Sequence, residues 1–198
     1  LAWPVPLKRY TLTLPAGQDT FALSFGGRIH HGVRDPSLEY ARSFSYSPGL
    51  ISTEGVFLAS STAWYPQFDE GLVSFRLDVQ LPAGWDAVSQ GGLIQEHSTE
   101  RTRHVIWEEK NPQDDIYLVA GRYQRYQQMA GPVQAYIYLR NPDQALAQKY
   151  LDATGQYIAM YSKLIGPYPY PKFALVENFW ETGYGMPSFT LLGPKVVR

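Results

Sequence analysis

Cysteine is missing from all 198 residues of this sequence. The absence of thiols excludes disulfide bonds, cysteine-ligated metal sites and a cysteine nucleophile, but it leaves the cellular compartment open. Charge is sparse and balanced, with 17 basic and 18 acidic residues and a formal net charge of −1. Because the sequence has no basic run, it predicts neither a nucleic-acid partner nor a membrane partner.

Long apolar runs are missing as well. No segment approaches the roughly 20 consecutive apolar residues that a membrane span needs. The first residues lack the charged start and apolar centre of a signal peptide, so the location in the cell stays undecided. Motifs for phosphate binding, dinucleotide binding and a serine nucleophile are absent too. The apolar content of 44% is nevertheless ample for a buried core.

The first two thirds of the sequence alternate between apolar and polar residues, which is typical of β-strands. Val73, Phe75, Leu77 and Val79 share one face of such a strand, so that face is predicted to cover a core. Similar segments, bounded by Gly, Pro, Asn or Asp, are Tyr10–Leu14, Phe21–Phe25, His104–Trp107, Ile116–Ala120 and Val133–Leu139. Short alternating strands between turns predict a mainly β fold, with an antiparallel sheet or sandwich.

The period of the pattern changes near residue 140. Asn141–Asp143 has the residues of a helix start, with Asn141 as the cap, and apolar residues then recur at spacings of three and four. We predict an amphipathic helix of about six turns that stops at Gly166. This change favours a domain boundary, with an N-terminal β domain over residues 1–140 and a second domain over residues 141–198.

The C-terminal part of the sequence combines strands with a glycine-containing loop. Lys172–Glu177 is predicted as a mostly buried strand, and Ser188–Leu192 is predicted as a second strand. The segment between them contains Gly183 and Gly185, and glycines allow a backbone to approach a ligand closely. If Ser188–Leu192 is an edge strand, a peptide can add to it through main-chain hydrogen bonds. A plain structural turn explains the glycines equally well.

Three stretches occur in an order that resembles the aminopeptidase N-like zinc metallopeptidases, the gluzincins of peptidase family M-one. Trp64–Glu70, with the strand after it, resembles the family's Phe-Pro-x-Phe-Asp-Glu segment. Ile116–Tyr123 is similar to its Tyr-Leu-x-Ala strand. The third stretch is the helix to Gly166 with Tyr168–Phe173, followed by Tyr184-Gly-Met, which lies where the family carries Gly-Ala-Met-Glu-Asn. The resemblance therefore extends over nearly the whole chain.

This resemblance implies a particular architecture and chemistry. It implies an N-terminal, saddle-like β domain, followed by the first helix and strands of a thermolysin-like α/β catalytic domain. Zinc in the full-length parent is then bound by a His-Glu-x-x-His motif beyond Arg198, since the sequence contains no such motif. The fragment is expected to carry neither zinc nor catalytic residues and to be inactive alone. Its expected partners are a peptide substrate and the remainder of the catalytic domain.

The resemblance also implies which residues bind the substrate. They lie in and around the glycine loop: Glu181, Gly183, Tyr184, Gly185, Met186 and Ser188. One departure concerns Pro187, which occupies the place of the family's glutamate that holds a peptide's free amino terminus. Three alternatives follow: the parent cleaves without reading a free amine, it has lost activity, or the negative charge comes from Glu181, Glu177 or Glu54.

A second interpretation belongs to a different class of protein. The chain is then a non-catalytic β-sandwich module that binds glycans or a protein partner, and its helix only packs on the sheet. The many tyrosines suit a sugar-stacking surface, although packing on pleated sheet faces explains them at less cost. Peptide contacts at Gly183–Ser188 distinguish the two interpretations, because only the first predicts them.

Overall fold

The computed structural model describes residue 5 and residues 7–34, 45–68 and 71–198. The mainly β fold class is confirmed, with antiparallel sheets and a long helix near the C-terminus. The described strands are β1 (Gly49–Ile51), β2 (Val56–Leu58), β3 (Val73–Pro82), β4 (Asp86–Val88), β5 (Gly92–Ser98), β6 (Thr102–Gln113), β7 (Leu118–Gly121), β8 (Gln124–Ala130), β9 (Val133–Leu139), β10 (Lys172–Glu177), β11 (Gly183–Met186) and β12 (Phe189–Leu192). The α-helices are α1 (Gln144–Ile165) and α2 (Pro194–Val197), and a short 3₁₀ helix spans Ser60–Thr62.

The strands form three sheets in the described part of the chain. A four-stranded sheet has the order β1-β2-β7-β4, and a three-stranded sheet has the order β3-β6-β5. Both are antiparallel throughout. The five-stranded sheet is mixed, with the order β11-β12-β10-β9-β8 and with β10 parallel to both β9 and β12. Helix α1 makes the crossover from β9 to β10, the connection that a parallel pair requires.

The five-stranded sheet separates two apolar clusters. On one face, Ile137 and Leu175 pack with Ala147 and Leu151 of α1. On the other face, alternate residues of the same strands join a larger core shared with the other two sheets, including Tyr138 and the residues Trp107, Val88, Phe57, Ala174, Val176 and Phe189. The period-two alternation of β9 and β10 therefore places one set of side chains in each cluster.

The predicted division at residue 140 lies within the five-stranded sheet. Strands β8 and β9 precede residue 140, and β10 to β12 follow it, yet all five belong to one sheet. The change of period thus marks the start of a helix rather than the end of a sheet. The division into domains over 1–140 and 141–198 stays a prediction.

Several predicted strands and one cap need correction. Tyr10–Leu14 and Phe21–Phe25 are not strands, because their alternation meets no partner strand and no core among the described residues, and Tyr10 is 80% exposed. Helix α1 begins later than predicted, since the Oδ1 atom of Asp143, not Asn141, accepts the amide of Leu146 at 2.9 Å. Strand β3 alternates in burial as predicted. Asp69 and Glu70 of the resemblance lie outside the described residues.

The glycine loop and the predicted edge strand are also corrected. Gly183–Met186 forms strand β11, and the strand predicted over Ser188–Leu192 is β12, an interior strand between β11 and β10. Pairing along β12 overrides the low intrinsic strand preference of the two glycines. Among the described residues, β11 is therefore one edge strand of this sheet, and β8 is the other. None of the described helices has both the length and the apolar character needed to cross a bilayer.

Candidate peptide-binding edge

Strand β11 carries four of the six residues predicted to bind substrate. Its pairing with β12 joins Gly183 to Leu192 and Met186 to Phe189, so the two strands form a hairpin with Pro187 and Ser188 as its turn. No other described strand pairs with β11. An edge strand presents main-chain groups that its own sheet leaves unpaired.

The pattern of hydrogen bonds identifies those unpaired groups. Gly193 donates its amide to the carbonyl of Thr182 at 2.7 Å, which defines a hydrogen-bonded pair at the start of the hairpin. In an antiparallel pair, hydrogen-bonded and non-hydrogen-bonded positions alternate. The amide and carbonyl groups of Gly183 and Gly185 therefore point away from β12, toward the free edge. These two glycines offer the main-chain groups that an added strand would use.

The two faces of β11 have different surroundings. Tyr184 and Met186 pack against the larger core, and the ring of Tyr184 stacks on Phe57 with 5.7 Å between ring centroids. A Cβ atom built on Gly185 meets no other atom within 4 Å. The tyrosine and methionine side chains thus fix the strand from one side, and Gly185 leaves space on the other.

The hairpin turn contains a residue in an uncommon backbone conformation. Ser188 has a φ of 68°, and a proline followed by positive φ is the pattern of a type II turn. Glycine or asparagine is usual at that position. The side chain of Ser188 is buried, and its Oγ accepts the amide of Gly91 at 3.1 Å. Its hydroxyl is therefore directed into the protein rather than toward the free edge.

A buried lysine lies beneath this turn. Lys172 is 1% exposed, and its Nζ donates to Ser188 Oγ at 2.6 Å, to the carbonyl of Ser188 at 3.2 Å and to the carbonyl of Ser89 at 2.7 Å. The Nζ also lies 5.0 Å from the centre of the Trp107 ring. Burial lowers the pKa of Lys172 well below its ordinary value, and the carboxylate of Glu109 opposes that shift. Sequence reasoning missed this residue.

The missed lysine had a signal in the sequence. Lys172 shares its face of β10 with Ala174 and Val176, both of which are fully buried. In a strand buried on both faces, that alternation places the lysine under the sheet. Lysines are rarely buried without partners, so a buried one indicates a built polar site.

The carboxylates considered for binding a substrate amine are engaged elsewhere. Glu181 Oε1 accepts the amide of Lys195 at 3.0 Å. Glu177 is buried and accepts the amide of Arg140 and the guanidinium of Arg198. Glu54 lies at the surface and pairs with Arg140 at 3.3 Å. The structure does not place any of the three among the hydrogen-bond partners of β11, and the substrate-binding role of the six predicted residues stays a prediction.

The described residues do not fit a zinc ion. Among them, no three histidine, aspartate or glutamate side chains come together as a metal site. Zinc in proteins is normally held by three or four such ligands.

Comparisons with known proteins give a likeness in fold. No protein-family model and no curated protein matches the sequence. A solved two-domain M1 zinc metallopeptidase, a mutant bound to L-arginine, has a TM-score of 0.59 at 12% identity, covering 82% of this chain and 40% of that one. An M1 zinc metallopeptidase mutant from Deinococcus radiodurans, bound to a Tyr-Ser-Ala substrate, has a TM-score of 0.55 at 13% identity, covering 85% and 41%.

A third solved structure also has a fold similar to that of this chain. It is the M1 zinc metallopeptidase from Deinococcus radiodurans, with a TM-score of 0.52 at 13% identity, covering 70% of this chain and 35% of that one. The chain thus spans well under half the length of the structures it matches. Identities this low establish a similar fold and nothing finer about the chemistry.

Proposed function

We propose that this chain is the N-terminal part of a zinc-dependent metallopeptidase of aminopeptidase type. It supplies the β domain and an edge strand, β11, that binds the peptide substrate. The observation that carries the proposal is the outward orientation of the main-chain groups of Gly183 and Gly185, on a strand whose outer edge pairs with no other described strand. The fold shared with M1 zinc metallopeptidases supports it.

Strand addition explains how one short edge can hold many different peptides. Main-chain hydrogen bonds are independent of the peptide's sequence, and they supply the affinity. The space over Gly185 is open, so the side chains of an added strand meet no neighbour there. The proposed edge therefore suits an extended peptide of varied sequence.

The proposed chemistry is divided between this chain and the rest of the parent. Zinc and the water that attacks the scissile bond belong to the remainder of the catalytic domain. That remainder is the second proposed partner, and it is proposed to cover the exposed aromatic and apolar stripe on the C-terminal half of α1. The stripe consists of Tyr157, Met160, Tyr161, Leu164 and Ile165, which are 44–84% exposed. A stripe of this size needs a cover in a soluble protein.

The sequence encoded after Arg198 tests the zinc part of the proposal. We expect a His-Glu-x-x-His motif within the next few tens of codons. A reading frame that ends or continues without this motif contradicts the peptidase proposal. In that case the non-catalytic binding module for glycans or proteins becomes the better interpretation.

Gly185→Pro is predicted to weaken peptide binding about tenfold, because it removes an amide directed at the free edge. Proline is tolerated on edge strands, so the pairing of β11 with β12 is retained. The tripeptide Tyr-Ser-Ala, titrated into ¹⁵N-labelled chain, is the probe. Gly185→Ala is the matched control, since it keeps the amide and its Cβ enters open space. Equal loss in both variants, or wild-type contacts elsewhere than Gly183–Ser188, argues against strand addition.

The same titration tests whether the edge strand recognises the positively charged amino terminus of a peptide. N-acetyl-Tyr-Ser-Ala has the same main chain without the positive charge. If Glu181 supplies the counter-charge, acetylation lowers the affinity, and Glu181→Gln removes that difference. An unchanged affinity indicates that the edge binds peptides without reading a free amine, as the presence of Pro187 suggests.

A further inference from the structure

The turn of the β11–β12 hairpin is hydrogen-bonded to other parts of the protein by a buried polar cluster. Lys172 Nζ is hydrogen-bonded both to the turn, at Ser188, and to the connection between β4 and β5, at Ser89. Gly91 of that connection donates to the same Ser188 Oγ. The two segments joined by the lysine are 83 residues and 16 residues away from it in sequence. The cluster therefore links three distant parts of the chain at the tip of the hairpin.

The conformation of Ser188 shows that its hydroxyl matters. A residue with a φ of 68° is strained unless it is glycine, yet the chain has serine there. Glycine removes the strain but lacks the Oγ atom that Lys172 and Gly91 bind. Strained backbone conformations persist where surrounding contacts hold them, and they concentrate at functional sites. The strain at Ser188 accompanies a side chain that accepts two buried hydrogen bonds.

We infer that Lys172 and Ser188 are positioning residues for the edge strand: together they hold the hairpin turn against Ser89 and Gly91 and so orient the free amides of Gly183 and Gly185. This inference rests on the proposed function, because it concerns the same peptide-binding edge. Neither residue contacts the peptide. They act through the hairpin.

The position of β11 in the sheet explains why such an anchor has an effect. The strand has β12 as its one paired neighbour in the described structure, so its twist is weakly constrained along its length. The packing of Tyr184 on Phe57 holds the middle of β11, and the hydrogen bonds of Lys172 to Ser188 hold the turn at its end. If the tip is released, the edge has to be ordered when a peptide binds, and that ordering lowers affinity.

Ser188→Gly and Lys172→Met test the inference in the full chain. Ser188→Gly removes the hydroxyl while relieving strain, so the protein is expected to fold. Lys172→Met removes the amine and keeps most of the side-chain volume. Amide exchange of Tyr184 and Met186, which face β12, reports local opening of the hairpin. We expect both variants to accelerate this exchange about tenfold and to weaken Tyr-Ser-Ala binding by a similar factor.

Two controls separate positioning from general loss of stability. Asp143→Ala removes the cap of α1, whose hydrogen bonds do not involve Lys172 or Ser188, and it is expected to leave both hairpin exchange and peptide affinity at wild-type values. Lys110→Met removes a lysine whose side chain is 83% exposed, and it is also expected to have no effect. If Ser188→Gly leaves hairpin exchange unchanged, or accelerates it without weakening the peptide, the inference is overturned.

The exchange measurement remains informative if the proposed function fails. A wild-type chain that does not bind Tyr-Ser-Ala contradicts the peptide-binding proposal and, with it, the role of the cluster in presenting peptides. Accelerated hairpin exchange in Ser188→Gly would then still show that the cluster anchors the hairpin. Failure of the proposed function is thus seen in the peptide titration of the wild-type chain, whereas failure of the anchoring role is seen in the hairpin exchange of Ser188→Gly.

Discussion

Gly91→Ala is expected to lower the free energy of unfolding by about 3 kcal/mol, from added strain and overpacking together. Gly91 has a φ of +77°, where a side chain is unfavourable. Its added Cβ would lie 2.6 Å from the carbonyl carbon of Glu108 and 2.8 Å from the Cα of Glu109. Both atoms belong to the backbone of β6, which cannot move without disturbing its pairing with β5. Chemical denaturation followed by tryptophan fluorescence measures the loss.

Gly84→Ala is the matched control for this prediction. Gly84 has a φ of +79°, almost the same as that of Gly91, but a Cβ there meets no atom within 4 Å. Its substitution therefore adds backbone strain alone and is expected to cost about 1–2 kcal/mol. The difference between the two variants measures the steric contact at Gly91. Equal losses would show that strain alone accounts for the requirement for glycine.

The effect of Gly91→Ala is expected to reach the proposed peptide-binding edge. The amide of Gly91 donates to Ser188 Oγ, so displacement of Gly91 removes one of the bonds that hold the hairpin turn. We expect the amides of Tyr184 and Met186 to exchange faster in this variant than in Gly84→Ala. Equal exchange rates in the two variants would show that this hydrogen bond does not hold the hairpin.

The regular elements were predictable from local pattern where burial is uniform along the element. The strands at Val133–Leu139 and Lys172–Glu177 have the predicted bounds, because side chains on both faces of each strand are buried. Helix α1 follows the three- and four-residue spacing of its apolar residues to Ile165. Pattern failed at Tyr10–Leu14 because alternation does not create a partner strand.

The candidate site was only partly predictable. The segment Gly183–Ser188 was located by its resemblance to a family, but its glycines indicated a loop, whereas the structure has a strand. Whether glycines form a strand depends on pairing with β12, which is a long-range property. The alternation of β10 placed Lys172 on a buried face, but it did not identify the partners of the amine, Ser89 and Ser188. Local periodicity does not encode contacts between distant segments, so neither the pairing of β11 nor the partners of Lys172 could be predicted from it.

Trp107→Ala is expected to lower the free energy of unfolding by about 3–5 kcal/mol, the range for loss of a large buried aromatic side chain. Trp107 is fully buried in the larger core, where strands of all three sheets meet. Its Nε1 donates to the carbonyl of Ala87 at 3.0 Å, and substitution leaves that carbonyl without its partner. Thermal and chemical denaturation, with circular dichroism as the signal, measure the loss.

Two comparisons identify what the Trp107 ring contributes. Trp107→Phe keeps an aromatic face beneath Lys172 but loses the donor to Ala87, so we expect a smaller loss, about 1–2 kcal/mol. Leu151→Ala removes a buried side chain of α1 from the apolar cluster on the other face of the five-stranded sheet, and it serves as a control for general loss of stability. If the Trp107 ring supports Lys172, Trp107→Ala accelerates amide exchange of the hairpin and Trp107→Phe preserves its protection. If Leu151→Ala accelerates this exchange equally, general destabilisation is the cause, and the ring does not support the edge through Lys172.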